Sequence, residues 1–505
     1  MGWNTVSDMR GALLVTGTTS DAGKSTVVAG LCRWLARQGV AVAPFKAQNM
    51  SNNSMVCPGG GEIGRAQWLQ AVAAGVEPEP ALNPVLLKPG GDRRSHIVRN
   101  GQPWGELTTD RWAELRPALA ETAYAALADL RSRYDVVICE GAGSPAEVNL
   151  RHGDYVNLGL AAAADLPVVV VGDIDRGGVL AALAGTVALV EPADQRRIAA
   201  FVINKFRGDE ALLRPGLESL TEITGRPVLG VLPWLRDVWL DSEDTLTTSA
   251  NAAPDTDGPA SGTLRVAAVR FPRVSNATDL DPLAAEPGVA VTVTADPDVV
   301  AAADLALLPG TRATVDDLAW LRRTGLAGAI TERARAGLPV LGVCGGAQML
   351  GREVLDGLES SVERTPGLAL LPHRVRFGRE KVLRTPHGTW RGHQVTGYEI
   401  HHGVVEPGPG TGPFLPSPDF PHVWATMWHG VLESDDFRRG WLGELAARHG
   451  WAWRPRGGPG FAERRETMLD SLADAVGKHL DTEQLLALAR DGVPGDLPSV
   501  RLERS

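Results

Sequence analysis

Cys344 follows the apolar run Leu338–Val343 and precedes Gly345-Gly346. A strand, a sharp turn at a cysteine and then a helix form the cysteine version of a nucleophile elbow. Such a turn exposes sulfur at a helix N-terminus, where the dipole favours the thiolate, the reactive form. Gly345 and Gly346 permit the turn and leave backbone N–H groups for an oxyanion hole. A thiolate nucleophile needs a proton shuttle, and histidines cluster late in the chain, at His401-His402 and at His429. No H-x-x-x-H spacing with a carboxylate supports a metal site among them.

A second kind of chemistry lies near the start. The stretch Gly11–Gly39 reads as a buried strand, a loop ending Gly23-Lys24-Ser25-Thr26, and a helix with Val27, Val28, Leu31, Trp34 and Leu35 on one face. This is how proteins hold nucleotide phosphates, with free N–H groups and the positive helix end aimed at the anion. Lys24 is expected to reach the terminal phosphates of ATP, and the Ser25 hydroxyl to sit on Mg²⁺. Five residues, rather than four, separate Gly17 from Gly23. That longer loop resembles the one in ATP-dependent carboxylate-activating ligases such as dethiobiotin synthetase.

Further polar groups fall at the C-terminal ends of predicted strands, where open α/β sheets bind ligands. Val40–Phe45 runs into Lys46-Ala47-Gln48-Asn49-Met50-Ser51-Asn52-Asn53-Ser54. Tyr134–Cys139 ends in Glu140, level with the phosphate loop and placed to hold Mg²⁺ or its water. Leu166–Val171 delivers the paired carboxylates Asp173 and Asp175. Ile198–Ile203 ends in Asn204, which could read an adenine edge or simply form a turn.

The elements that position these groups alternate strand and helix, which predicts an α/β chain of two doubly wound, mostly parallel sheets, one P-loop ATPase-like and one flavodoxin-like. The stretch 247–263, rich in Ser, Thr, Ala, Pro and Gly, reads as a linker. It divides an ATP-dependent domain (1–246) from a cysteine-bearing domain (264–505). Leu264–Val269, Val289–Thr294, Leu305–Leu308 and Leu338–Val343 are the strands of the latter. The tail Phe461–Asp491 has helical apolar spacing and is expected to cap this second domain.

At 505 residues the chain exceeds one core. A net charge of −10 without a basic stripe argues against nucleic acid as a partner. Four scattered cysteines without a CxxC pair point to a reducing cytoplasm. No apolar run reaches the ~20 residues of a membrane span.

Together the halves read as a glutamine-dependent amidoligase. A carboxylate is a poor electrophile until phosphoryl transfer turns one oxygen into a leaving group. Ammonia is scarce near neutral pH, so a glutaminase beside the synthetase makes chemical sense.

The runs FKAQNMSNNS (45–54), CEGAGSPAEVNL (139–150), GDIDRGG (172–178), NKFRGD (204–209), GVCGGAQMLG (342–351) and YEIHHG (398–403) resemble those of the glutamine-hydrolysing cobyric acid synthase family. The resemblance implies ATP- and glutamine-dependent amidation of the b, d, e and g carboxylates of adenosylcobyrinic acid a,c-diamide, a corrinoid, giving adenosylcobyric acid in cobalamin biosynthesis. It makes Cys344 the nucleophile forming a γ-glutamyl thioester and His429 its base. Gly310 and the Gly345 N–H become the oxyanion hole. Gly23, Lys24, Ser25 and Thr26 take the phosphate and Mg²⁺ roles, Glu140 is a second metal ligand, and Lys46 neutralises the transferring phosphoryl group. Asp173, Asp175 and Asp154 would hold Mg²⁺ or orient substrate. Gln48, Asn49, Asn52 and Asn53 would contact the corrin. Where related glutaminases complete a triad with Glu two residues after the histidine, this chain has Val431, so a Cys344–His429 dyad is expected and the orienting group is left open. Thr311-Arg312-Ala313-Thr314 stands where the family reads Ser-Lys-Asn-Thr. The alternatives are the sister enzyme that amidates the a and c carboxylates of cobyrinic acid, or a P-loop ATPase with a non-catalytic glutaminase-like domain.

Overall fold

The computed structural model describes residues 10–90, 94–108, 110–235, 238, 262–408, 410 and 412–500. Of the expected linker, residues 247–261 lie outside the described residues. Runs of Val, Leu, Ile and Ala, buried on both faces, form two all-parallel sheets, the patterning that sheets covered by helices require.

The first sheet contains β1 (Gly11–Gly17), β2 (Val42–Phe45), β3 (Val136–Glu140), β4 (Val168–Asp173), β5 (Ile198–Phe206) and β6 (Val228–Pro233), in the order β6-β5-β4-β1-β3-β2. The chain reverses direction across the sheet on either side of β1, so ligand-binding loops gather at its carboxyl end. The second contains β7 (Leu264–Val269), β8 (Val289–Thr294), β9 (Leu305–Leu308), β10 (Val340–Val343) and β11 (Val423–Thr426), in the order β8-β7-β9-β10-β11. Strand β11 has no sequence signal beyond a short apolar run and was not anticipated. Neither were two smaller four-stranded sheets, built from segments between residues 48 and 108 and between 353 and 406. They hold the strands Val85–Pro89 and Arg374–Arg384, whose Lys88 and Lys381 both reach Glu62.

The tail departs from expectation. The helices α3 (Phe461–His479) and α4 (Thr482–Asp491) do not cap the second domain but return to the first. Leu469, Leu472 and Val476 pack with Val27, Leu31 and Leu35 of α1 (Lys24–Arg37), the helix that leaves the phosphate loop. The helices meet so closely at Gly30 that a Cβ there would lie 2.8 Å from Val476 Cγ2 and 3.2 Å from Leu472 O. Arg33 seals one edge through Glu466 and Asp470, each at 2.8 Å. Helical periodicity identifies an apolar stripe but carries no information about which of two α/β layers receives it. Among the described residues, no helix is long and apolar enough to cross a membrane.

Candidate active site

The cysteine site is built at the carboxyl ends of β7, β9, β10 and β11. Cys344 sits between β10 and the helix Gly345–Leu350 with φ 48° and ψ −108°, a backbone conformation that side chains rarely adopt. Two bonds hold this strained turn. Cys344 N donates to Thr426 O at 2.8 Å, and Gly346 N donates to Pro309 O at 3.1 Å. The second brings the β9 tip under the elbow, and a Cβ on Gly345 would lie 2.9 Å from Thr311 N. Gly310 occupies equally tight space, since its Cβ would lie 2.9 Å from His429 Cε1. Gly310 and Gly345, the expected oxyanion donors, thus lie close to His429 and to the Thr311 backbone respectively.

His429, at the β11 tip, is buried and interacts with both the Cys344 sulfur and a carboxylate. That carboxylate is Asp279: His429 Nδ1 lies 2.7 Å from Asp279 Oδ2, while Gly430 N donates to Asp279 Oδ1 at 2.7 Å. The arrangement is a triad, where a dyad was expected from the sequence. Burial alone would lower the imidazole pKa, but Asp279 and the adjacent sulfur outweigh it and raise it to about 10. Asp279 escaped sequence reasoning because its flanking Ala-Thr-Asp-Leu carries no motif; only the fold brings β7 and β11 loops together. Glu433, four residues after His429, instead joins Arg65 at 2.9 Å and Arg465 at 2.5 Å.

The remaining cysteines, Cys32, Cys57 and Cys139, are buried, and burial pushes the Cys57 and Cys139 thiols up to about 12. They are inert packing groups.

In the first domain, Gly23 adopts the left-handed φ of 94° and hands the loop to α1. Lys24 Nζ spans the loop, donating to Thr19 O at 2.9 Å and Ser20 O at 3.0 Å. Ser25 Oγ donates to Glu140 Oε1 at 2.8 Å, and Lys46 Nζ reaches the same oxygen at 2.8 Å. Gln70 of α2 (Arg65–Ala74) holds the other oxygen at 2.5 Å. Burial would raise the Glu140 pKa, but Lys46, Gln70 and Lys24 bring it below the ordinary carboxylate range. A hydroxyl beside an ionised carboxylate, level with a phosphate loop, is a donor set that suits Mg²⁺ held jointly with nucleotide oxygens.

Several expected ligands have other work. Asn204 Nδ2 donates to Ala22 O at 3.0 Å, bracing the phosphate loop rather than facing a base. Asp173 pairs with Lys205 at 2.7 Å and accepts Asp175 N with its other oxygen, so both oxygens are committed away from Ser25. Asp175 lies 3.3 Å from Arg207. Asp154 receives the amides of Val156, Asn157 and Gly159, each at 2.8 Å, and so starts the helix Leu158–Ala164. Those bonds are the local business of a helix start.

The amide-rich run 46–54 is also reassigned. Gln48 accepts from the Tyr155 hydroxyl, and Asn49 Nδ2 donates to Gln67 Oε1 at 2.9 Å. Asn53 Oδ1 accepts Ala277 N at 3.2 Å, and Ser54 N donates to Asn276 Oδ1 at 2.9 Å. Gln48, Asn49 and Asn53, expected to contact the corrin, each thus make a bond inside the protein. Instead the run crosses the domain seam, with Lys46 on Glu140 at one end and Asn53 beside the Asp279 loop at the other. Asn52 lines the same pocket as Cys344, together with Lys88, Thr311, Lys381 and His401.

Comparison with known proteins agrees with both halves. Residues 13–247 match the family of CobQ/CobB/MinD/ParA nucleotide binding domains, and residues 265–437 the CobB/CobQ-like glutamine amidotransferase domain. The cobyric acid synthase of Cutibacterium acnes is 55% identical over 485 residues, covering 95% of this chain and 99% of that protein. The cobyric acid synthase of Mycolicibacterium gilvum is 56% identical over 492 residues, covering 96% and 98%. That of Mycobacterium marinum is likewise 56% identical over 492 residues. With two domain matches in the same order and such identity along nearly the whole length, the chain belongs to the cobyric acid synthase family.

Proposed function

We propose that the chain amidates the b, d, e and g carboxylates of adenosylcobyrinic acid a,c-diamide, using ATP to activate each acid and glutamine to supply nitrogen. The observation that carries this reading is that one short stretch, Lys46–Ser54, touches both the Glu140 site and the loop of Asp279. A nucleotide site and a thiol site so joined suit a reaction in which the product of one is consumed at the other. We assign the synthetase to residues 1–246 and the glutaminase to the segment beginning at 264, with the helices of residues 461–491 serving the synthetase.

In the glutaminase, the Cys344 proton passes to His429 Nε2 and the sulfur attacks the glutamine carboxamide. The developing oxyanion is met by the N–H groups of Gly310 and Gly345. His429 returns the proton to the departing nitrogen, leaving a γ-glutamyl thioester and ammonia. Asp279 holds the imidazole ring in one orientation and favours its charged form through both half-reactions. Water, activated by His429, then cleaves the thioester to glutamate and restores the thiol.

In the synthetase, the Gly23–Thr26 loop cradles ATP. Lys24 and Lys46 offset charge on the phosphoryl group as it moves to the substrate carboxylate. Ser25 and Glu140 would hold Mg²⁺, which screens the phosphate oxygens when bound. Ammonia attacks the resulting acyl phosphate carbon, and phosphate leaves with its oxygen.

The test supplies purified protein with ATP, glutamine labelled with ¹⁵N in its amide, and either cobyrinic acid or the a,c-diamide, and counts labelled amides by mass. Labelled amides on the a,c-diamide are expected. Labelling confined to cobyrinic acid would assign the chain to the sister reaction, and labelling of neither would remove the ligase reading.

A further inference from the structure

The Cys344 pocket is not lined by the glutaminase alone. Lys88, from the strand Val85–Pro89, and Asn52 both come from the synthetase domain. Lys88 is 5% exposed, and its ammonium donates to Glu62 Oε2 at 2.6 Å and to Ser54 Oγ at 2.7 Å. Glu62 is fully buried and also accepts from Lys381, which the glutaminase strand Arg374–Arg384 sends across the seam. One carboxylate therefore serves two lysines. The other ion pair of the pocket, Arg312 with Glu359, is balanced. Counting these groups leaves one positive charge in surplus at a buried place beside the nucleophile. A buried surplus charge is costly unless something neutralises it. Burial accordingly pushes Lys88 down to about 7 against the pull of Glu62. Next to these cations, Asn52 Oδ1 is buried and has no protein partner.

We infer that Lys88 and Lys381 together hold the α-carboxylate of glutamine, and that Asn52 Oδ1 accepts from its α-ammonium, so that the synthetase domain reads the amino-acid end of the nitrogen donor. This rests on the proposed glutaminase and specifies how it recognises its substrate. A carboxylate restores neutrality to the lysine pair, and charge-assisted bonds in a shielded site are the strong ones. Neutral amides without the amino-acid head gain nothing from the pair. The glutaminase is complete only when the two domains are docked, because two of the groups that would grip its substrate belong to the other domain.

The test compares hydrolysis of glutamine with that of glutaminol, in which an alcohol replaces the carboxylate, in the full-length chain and in Lys88→Met and Lys381→Met. The wild type is expected to favour glutamine in kcat/KM by about 10- to 100-fold, the worth of a hydrogen bond to a charged group. In each variant that preference collapses toward unity because glutamine worsens while glutaminol does not. A variant that merely misfolds loses both substrates together and keeps no altered ratio, so the wild-type ratio then decides. Equal turnover of glutamine and glutaminol by the wild type overturns the inference, as does an unchanged preference in both folded variants. Absence of any glutamine hydrolysis by the wild type would instead overturn the proposed function.

Discussion

His429 Nδ1 and Asp279 Oδ2 stand 2.7 Å apart although the two residues are 150 positions apart in the chain. Asp279 also accepts the N–H of Gly430, so the acid grips ring and backbone at once. Removing its charge while keeping its shape leaves burial, which depresses the imidazole, opposed by the sulfur alone. Asp279→Asn should therefore lower the His429 pKa from about 10. The expected result is a loss of glutamine hydrolysis of about 10²- to 10⁴-fold, with the alkaline limb of the pH–rate profile moved to lower pH. A profile of unchanged shape would mean that Asp279 does not orient the base.

Cys344→Ala should abolish glutamine-dependent amidation yet still form amides from ammonium salts, because the acyl phosphate needs only ammonia. Measuring both nitrogen sources in one preparation checks this. Residual glutamine hydrolysis at the parental rate would remove the nucleophile from Cys344.

Lys24→Ala and Lys46→Ala should each fail with either nitrogen source, by about 100-fold or more, as expected when a donor to developing charge is lost. The two lysines differ in what else they hold. Lys46 also holds Glu140, so its loss is expected to weaken Mg²⁺ dependence as well, read as a shift in the Mg²⁺ concentration for half-maximal rate.

Glu433 ties α2 to α3 through Arg65 and Arg465, and its side chain is about a quarter exposed. Burial would raise its pKa, but the two guanidiniums lower it to about 2. A depressed carboxylate stabilises the fold above its ordinary pKa of 4.5, and that share disappears as pH falls through about 2. Glu433→Gln should cost about 1–3 kcal/mol at pH 7 by denaturant unfolding, and the gap from wild type should close in acid.

Leu469 is fully buried between α3 and α1. Leu469→Ala should lower stability by about 2–5 kcal/mol. Because α1 begins at Lys24, nucleotide should protect this variant against unfolding less well than it protects the wild type, a difference readable as the shift in melting temperature with added ATP.

Most strands of both parallel sheets were legible from the sequence because they are largely apolar runs, whereas β11, only four residues long, was not. Cys344 and Lys24 were legible for a related reason: each sits at the junction of such a run with a helix, where local spacing alone fixes the geometry. Asp279 was not, because its partner is supplied by a strand far along the chain. Asn49, Asn53 and Asp154 show a complementary limit. An amide-rich or acidic loop looks alike whether it binds a ligand or bonds to groups of its own fold, as these three do here. The tail helices show the same limit at the scale of a domain.

The strap from Lys46 to Asn53 is seven residue steps long, at most about 25 Å when fully drawn out. It is pinned at both ends and carries no slack loop of its own. An opening between the domains that keeps these bonds must therefore hold this edge and widen elsewhere, much as a book opens away from its spine. The distance that liberated nitrogen has to travel is bounded by the binding, however wide the covers swing.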